Sequence, residues 1–117
     1  MILTYTLDEH NEPVPCEDSL EWARWMKDNH ERRKVARSHV DGHVVSTIFL
    51  GMDHAFLEPS EPILYETMVF RAGDDGEVDS FMDQAMERYR TREEAVVGHR
   101  RMCLRILEGK LVHTDGQ

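Results

Sequence analysis

The strongest pattern in the chain is a pair of β-rich runs, Val35 to Val40 and His43 to Leu50, on either side of Asp41-Gly42. Asp-Gly between two such runs is the signature of a two-residue type I′ hairpin, because both turn positions need positive φ and only Gly, Asn and Asp accept it cheaply. Along the second run Val45, Thr47 and Phe49 share one side, while Val44, Ser46, Ile48 and Leu50 share the other. The Ile48 and Leu50 side is expected to meet the helices. Ile63 to Phe70 alternates in the same way and reads as another strand, and Ile2 to Leu7 reads as a first one.

Two stretches carry helical periodicity instead. Asp18 with Glu21 forms a capping pair ahead of Leu20, Trp22, Ala23, Trp25 and Met26, and the helix is expected to end near Asn29 or His30. Thr91 with Glu94 forms a capping box ahead of a buried stripe of Ala95, Val96, His99, Met102, Cys103, Ile106 and Leu107, with Gly109 as the stop.

The connections are polar. Asp8 to Pro13 reads as a loop, and Pro13 and Pro15 deny backbone donors, so no central strand continues there. Phe56 to Pro62 and Ala72 to Glu77 read as loops. Val78 to Arg90 is ambiguous: Phe81, Met82, Ala85, Met86 and Tyr89 suit a short helical face, but the latter half alternates as an edge strand able to pair with Ile63 to Phe70. The tail from Lys110 offers a short strand at Leu111 and Val112, or frays. The pattern as a whole predicts a single α+β domain over residues 1–117, an antiparallel sheet of about five strands with two helices packed on it, in the order β-α-β-β-β-β-α.

Composition agrees with a globular chain. Of its 117 residues 40% are hydrophobic and 32% charged, enough apolar content for a core and too much for a disordered segment. Fourteen Lys and Arg against 23 Asp and Glu give a formal net charge of -9. A field of that sign repels phosphate backbones and anionic lipid, which argues against broad nucleic-acid or membrane binding. The basic residues nevertheless gather at Arg32, Arg33, Lys34 and Arg37, at Arg88, Arg90 and Arg92, and at Arg100, Arg101 and Arg105, so a local basic pocket is compatible with the composition. Cys16 and Cys103 share no CxxC spacing, no stretch has a signal-peptide pattern, and no apolar run approaches the ~20 residues that span a bilayer. A cytosolic protein with reduced thiols is expected.

Several spaced motifs occur in order: Tyr5-Thr6-Leu7-Asp8, Pro13-Val14-Pro15-Cys16, Trp22-Ala23-Arg24-Trp25-Met26, Val45 to His54, Pro62 to Phe70, Arg88-Tyr89-Arg90-Thr91, Glu93-Glu94-Ala95 and Gly98-His99. Over nearly the whole chain this set resembles a family of small uncharacterised proteins carried by bacteriophages and prophages. The acidic connection from Gly73 to Gln84 is longer than its counterpart in that family. The resemblance implies a phage accessory protein in the cytoplasm of an infected bacterial cell, with a non-enzymatic role against host defence: blocking a host protein or sequestering a small anionic nucleotide signal.

The residues themselves offer a few candidate sites. Arg88, Arg90 and Arg92 alternate toward one side of a strand and, joined by Arg100 or Arg101, could clasp a phosphate or an acidic partner, since guanidinium forks match such oxygens in pairs; a solvated edge that resists aggregation is the plainer use. Glu66 stands on an apolar strand face and needs a partner if it points inward, either an arginine or His99. The Glu66–His99 pair is the favoured single site. Asp53 and His54, with Glu66 and His99, supply ligand types for a divalent metal without any supporting HExxH or CxxC spacing. Trp22 and Trp25 could stack a ring, though at helical spacing they more often serve a core. Cys103 lies on the buried stripe as an inert thiol. No catalytic motif is present and no cofactor is implied. A non-enzymatic binding protein that forms a homo-oligomer is therefore expected, with a metal-assisted hydrolase and a minor virion structural protein as alternatives.

Overall fold

The computed structural model describes residues 3–55, 61–78 and 85–109. Its elements run β1 (Tyr5–Leu7), β2 (Pro13–Pro15), α1 (Ser19–Asp28), β3 (Lys34–Val40), β4 (His43–Phe49), β5 (Tyr65–Arg71), β6 (Ala85–Tyr89) and α2 (Arg92–Leu107). The fold is α+β with two antiparallel sheets: a four-stranded sheet ordered β3-β4-β5-β6 and a two-stranded ribbon of β1 and β2.

The local signals act where expected. Asp41 and Gly42 both take positive φ, +44° and +79°, and join β3 to β4 as a tight hairpin. Asp18 caps α1 by accepting the N–H groups of Leu20 and Glu21, and α1 stops at Asn29. At α2 the capping box is complete, with Thr91 accepting from Glu94 N–H and Glu94 reaching back to the cap backbone. Gly109 follows in the left-handed region. The latter half of the ambiguous segment is strand β6, pairing with β5 from Tyr65↔Tyr89 to Val69↔Ala85.

Three expectations are corrected. The loop read over Asp8 to Pro13 gives way at Pro13 to a strand that was not expected, β2, which pairs with β1. Cys16 N–H donates to Thr4 and Asp8 N–H to Glu12, so the alternation of an antiparallel ladder puts Pro13 and Pro15 at positions whose missing donors are not called on. Hence β1 is not a strand of the main sheet, which has four strands rather than five. It is tied to the chain beyond β4 instead, through Tyr5 N–H to Gly51 and Asp53 N–H to Leu3. Finally, α2 covers the Val45, Thr47 and Phe49 face of β4, not the Ile48 side: Val45 and Phe49 are core residues, and Thr47 bonds to His99 of α2. The readings for Phe56 to Pro59, for Phe81 and Met82, and for Leu111 and Val112 fall outside the described residues.

Two apolar clusters join the layers. Phe49, Leu64, Tyr65, Tyr89 and Ala95 pack with Tyr5 and Leu7 at one end, and Val45, Val69 and Ala85 pack with Met102 and Ile106 of α2 at the other. Helix α1 has no fully buried residue. It docks through Trp22 and Trp25.

Candidate functional site

Between the two clusters lies a polar chain that crosses the whole main sheet beneath α2. Ser38 of β3 lies 2.8 Å from His99 Nε2, and Thr47 of β4 lies 2.7 Å from His99 Nδ1. Thr47 and Thr67, cross-strand neighbours, are 2.5 Å apart. Tyr89 Oη is 3.1 Å from Thr67 Oγ1 and 2.8 Å from Glu87 Oε1, and Arg101 of α2 donates to the same carboxylate at 2.5 Å. A carboxylate only accepts, so the single Tyr89 proton goes to Glu87, its nearer acceptor, and Thr67 turns its own proton to Tyr89. Thr47 then donates to Thr67, His99 Nδ1–H donates to Thr47, and Nε2 accepts from Ser38. His99, Thr47, Thr67 and Tyr89 each donate once and accept once, with Ser38 and Arg101 as the terminal donors and Glu87 as the terminal acceptor.

His99 is 5% exposed, and burial pushes its imidazole below the ordinary histidine value. With both ring nitrogens engaged, neutral His99 ties α2 to β3 and β4 and has no free lone pair for a metal or a proton transfer. Gly98 beside it admits the Tyr89 ring, which a Cβ would overlap.

Glu66 is 7% exposed and accepts from Arg88 Nε at 2.9 Å, its cross-strand neighbour. Thr67 faces α2, so Glu66 points to the opposite face of the sheet from His99. The favoured Glu66–His99 pair is therefore not formed, and the arginine is the partner. Asp53 and His54 do not join either residue. Asp53 accepts the N–H groups of Ala55 and Ile63, and His54 Nδ1 bonds the Met52 carbonyl. Among the described residues no three His, Cys, Asp or Glu side chains gather as metal ligands.

The tryptophans are used in docking α1. Trp22 Nε1–H is shared between the carbonyls of Tyr5 and Gly51, 3.1 Å from each. Trp25 meets Phe49 edge-on at 6.1 Å between centroids, with the Arg32 guanidinium over its ring.

The expected arginine clasp divides into three. Arg88 serves Glu66 and Arg101 serves Glu87. Arg90 and Arg92 line a cavity of about 100 Å³ at the start of α2, where Tyr65 also contributes.

A larger concavity, about 270 Å³, lies against β3 and β4. His30, Arg33, Lys34 and Arg37 line it, from the turn after α1 and the first half of β3. Ala36, Ser46 and Ile48 complete it, the last two on the side of β4 turned away from α2. Arg33 donates its Nε–H to the Phe49 carbonyl at 3.3 Å, and burial pulls its pKa down without threatening its charge. Lys34 pairs with Glu31 at 2.9 Å and Arg37 with Glu77 at 3.6 Å, with both acids exposed. Exposed pairs of this kind are worth about 0–1 kcal/mol, so a bound anion can displace them. The basic run was visible in the sequence. Its convergence with Ser46 and Ile48 was not, because that depends on the hairpin register.

No family model, curated protein or solved structure matches the chain.

Proposed function

We propose that the protein is a non-enzymatic binding protein that takes a small phosphate-bearing ligand, a nucleotide by its chemistry, in the basic groove of β3 and β4. One observation carries the reading: on a chain of net charge -9, three cationic side chains and a histidine converge on one concavity of about 270 Å³. Guanidinium forks pair with phosphate oxygens, and Ile48 gives the lining an apolar element beside them. The volume lies just below the usual range for small-molecule sites, which limits the occupant to a small ligand. No helix among the described residues is long and apolar enough to cross a membrane.

The resemblance to phage-borne proteins supports a setting in the cytoplasm of an infected bacterium, where the ligand would be a nucleotide signal of host defence. A host protein as partner, or self-association, has one observation in its favour: Val97, Leu104 and Leu107 stand exposed on α2. A metal-assisted hydrolase has lost its ligand set, and no feature favours a virion component.

Calorimetric titration with nucleoside mono- and diphosphates tests the reading. Saturable binding that weakens as salt rises is expected, and Arg33→Ala or Arg37→Ala should each weaken it by about tenfold or more. A folded protein that takes up none of these nucleotides at millimolar concentration would remove the proposal.

A further inference from the structure

The small cavity at the start of α2 is a different site from the groove. It is about 100 Å³ and lies between the end of the β1–β2 turn, β5 and the first turn of α2. Two of the residues that line it carry a buried polar atom with no hydrogen-bond partner among the described residues: Tyr65 Oη and Arg92 Nη1. Tyr65 is 0% exposed. A buried donor left without a partner costs roughly 1–3 kcal/mol, so two of them lining one small cavity are hard to explain as packing. They are explained if the cavity holds an acceptor.

The cavity's chemistry narrows what that acceptor belongs to. Burial pushes Tyr65 up to about 12, so its hydroxyl keeps the proton it would donate. Arg92 adds a permanent cation, and the first N–H groups of α2, at Arg92 and Glu93, have no intrahelical acceptor. Set against these are two carboxylates, Glu12 and Glu93, which line the same cavity and are near enough to act on the Tyr65 hydroxyl. With Arg90 also at the wall, two cations and two anions cancel. A dianion such as phosphate gains little from a site without net charge. A ligand carrying one negative and one positive group uses both halves.

We infer that this cavity is a binding site for a small α-amino acid, its carboxylate on Tyr65 Oη, Arg92 and the α2 N-terminus, and its ammonium on Glu12 and Glu93. The volume limits the occupant to a single such unit with a small side chain. The site stands independently of the nucleotide reading, because it shares no residue with the groove.

The test is a set of ¹H–¹⁵N titrations of the full chain with glycine, acetate, methylammonium and inorganic phosphate. Glycine should move the Arg92 and Glu93 amides saturably, acetate should bind at least about tenfold more weakly, and methylammonium should leave them unmoved. Tyr65→Phe should weaken glycine by about tenfold without lowering the melting temperature of the free protein, since the hydroxyl removed made no bond. Arg37→Ala, in the groove, should leave glycine binding unchanged. The inference is overturned if glycine produces no saturable shift, or if acetate or phosphate binds as well as glycine. It is also overturned if Tyr65→Phe lowers the melting temperature while glycine affinity holds, since the hydroxyl would then serve the fold through water.

Discussion

Gly98 and Tyr89 meet with no room between helix and sheet: a methyl group on Gly98 would overlap Cε1, Cζ and the hydroxyl of the Tyr89 ring. The ring is 6% exposed and its hydroxyl is the link between Thr67 and Glu87. Glycine in mid-helix gives up about 1 kcal/mol of propensity relative to alanine, and here that loss lets α2 seat on β6. Gly98→Ala should therefore lower stability by about 1–3 kcal/mol despite its better propensity, as read by urea denaturation. Tyr89→Leu in the same chain should recover part of the loss. A Gly98→Ala protein as stable as the parent would show that α2 does not seat as described.

His99 makes stability depend on pH with a definite sign. Its folded pKa lies below the unfolded value of about 6.5 because burial penalises the cation. Below that value the unfolded chain binds the proton more readily than the folded one. Its contribution is thus full above about pH 7 and is lost as pH falls through the unfolded and then the folded pKa, with a slope of at most about 1.4 kcal/mol per pH unit. Urea midpoints between pH 7.5 and 5 should fall in the parent and fall less in His99→Gln.

Arg88 is the partner of a carboxylate that has left water. Removing it by Arg88→Met should cost about 2–3 kcal/mol, less than for a fully buried pair because the Arg88 side chain is 36% exposed. Replacing both residues, Glu66→Leu with Arg88→Met, should restore most of that loss. Chemical denaturation of the two variants measures the difference.

The hairpin makes a prediction that rests on the backbone alone. A Cβ on Gly42 meets nothing within 4 Å, yet its φ of +79° is one that a β-branched residue resists. Gly42→Val should destabilise by about 1–2 kcal/mol, whereas Gly42→Asn should cost markedly less. Thermal melts of the pair isolate conformational strain from packing.

How far the sequence spoke for itself depended on the range of each signal. Asp41-Gly42 and the Thr91–Glu94 box act within four residues, and both elements stand where the pattern put them. Parity across the sheet was harder. Val45 and Phe49 on one side and Val44 and Ile48 on the other are equally apolar, and Thr47 reads as an outward residue until His99 is seen above it. The same one-residue parity separates Glu66 from Thr67, and so from His99. Pro13 and Pro15 hid β2, because whether a missing N–H matters depends on the register of a partner strand. Ser38, Thr67 and Tyr65 gave no local sign of their roles, which arise from contacts between residues distant in the chain.

The central claim is that a phosphate-bearing ligand enters the groove of His30, Arg33, Lys34 and Arg37. The most direct measurement is a ¹H–¹⁵N map of the amides that move when a nucleoside diphosphate is added. Saturable shifts confined to residues 30–37 and 46–48 are expected, and their loss in Arg33→Ala/Arg37→Ala. Saturable shifts centred elsewhere, or a spectrum that does not change, would contradict it.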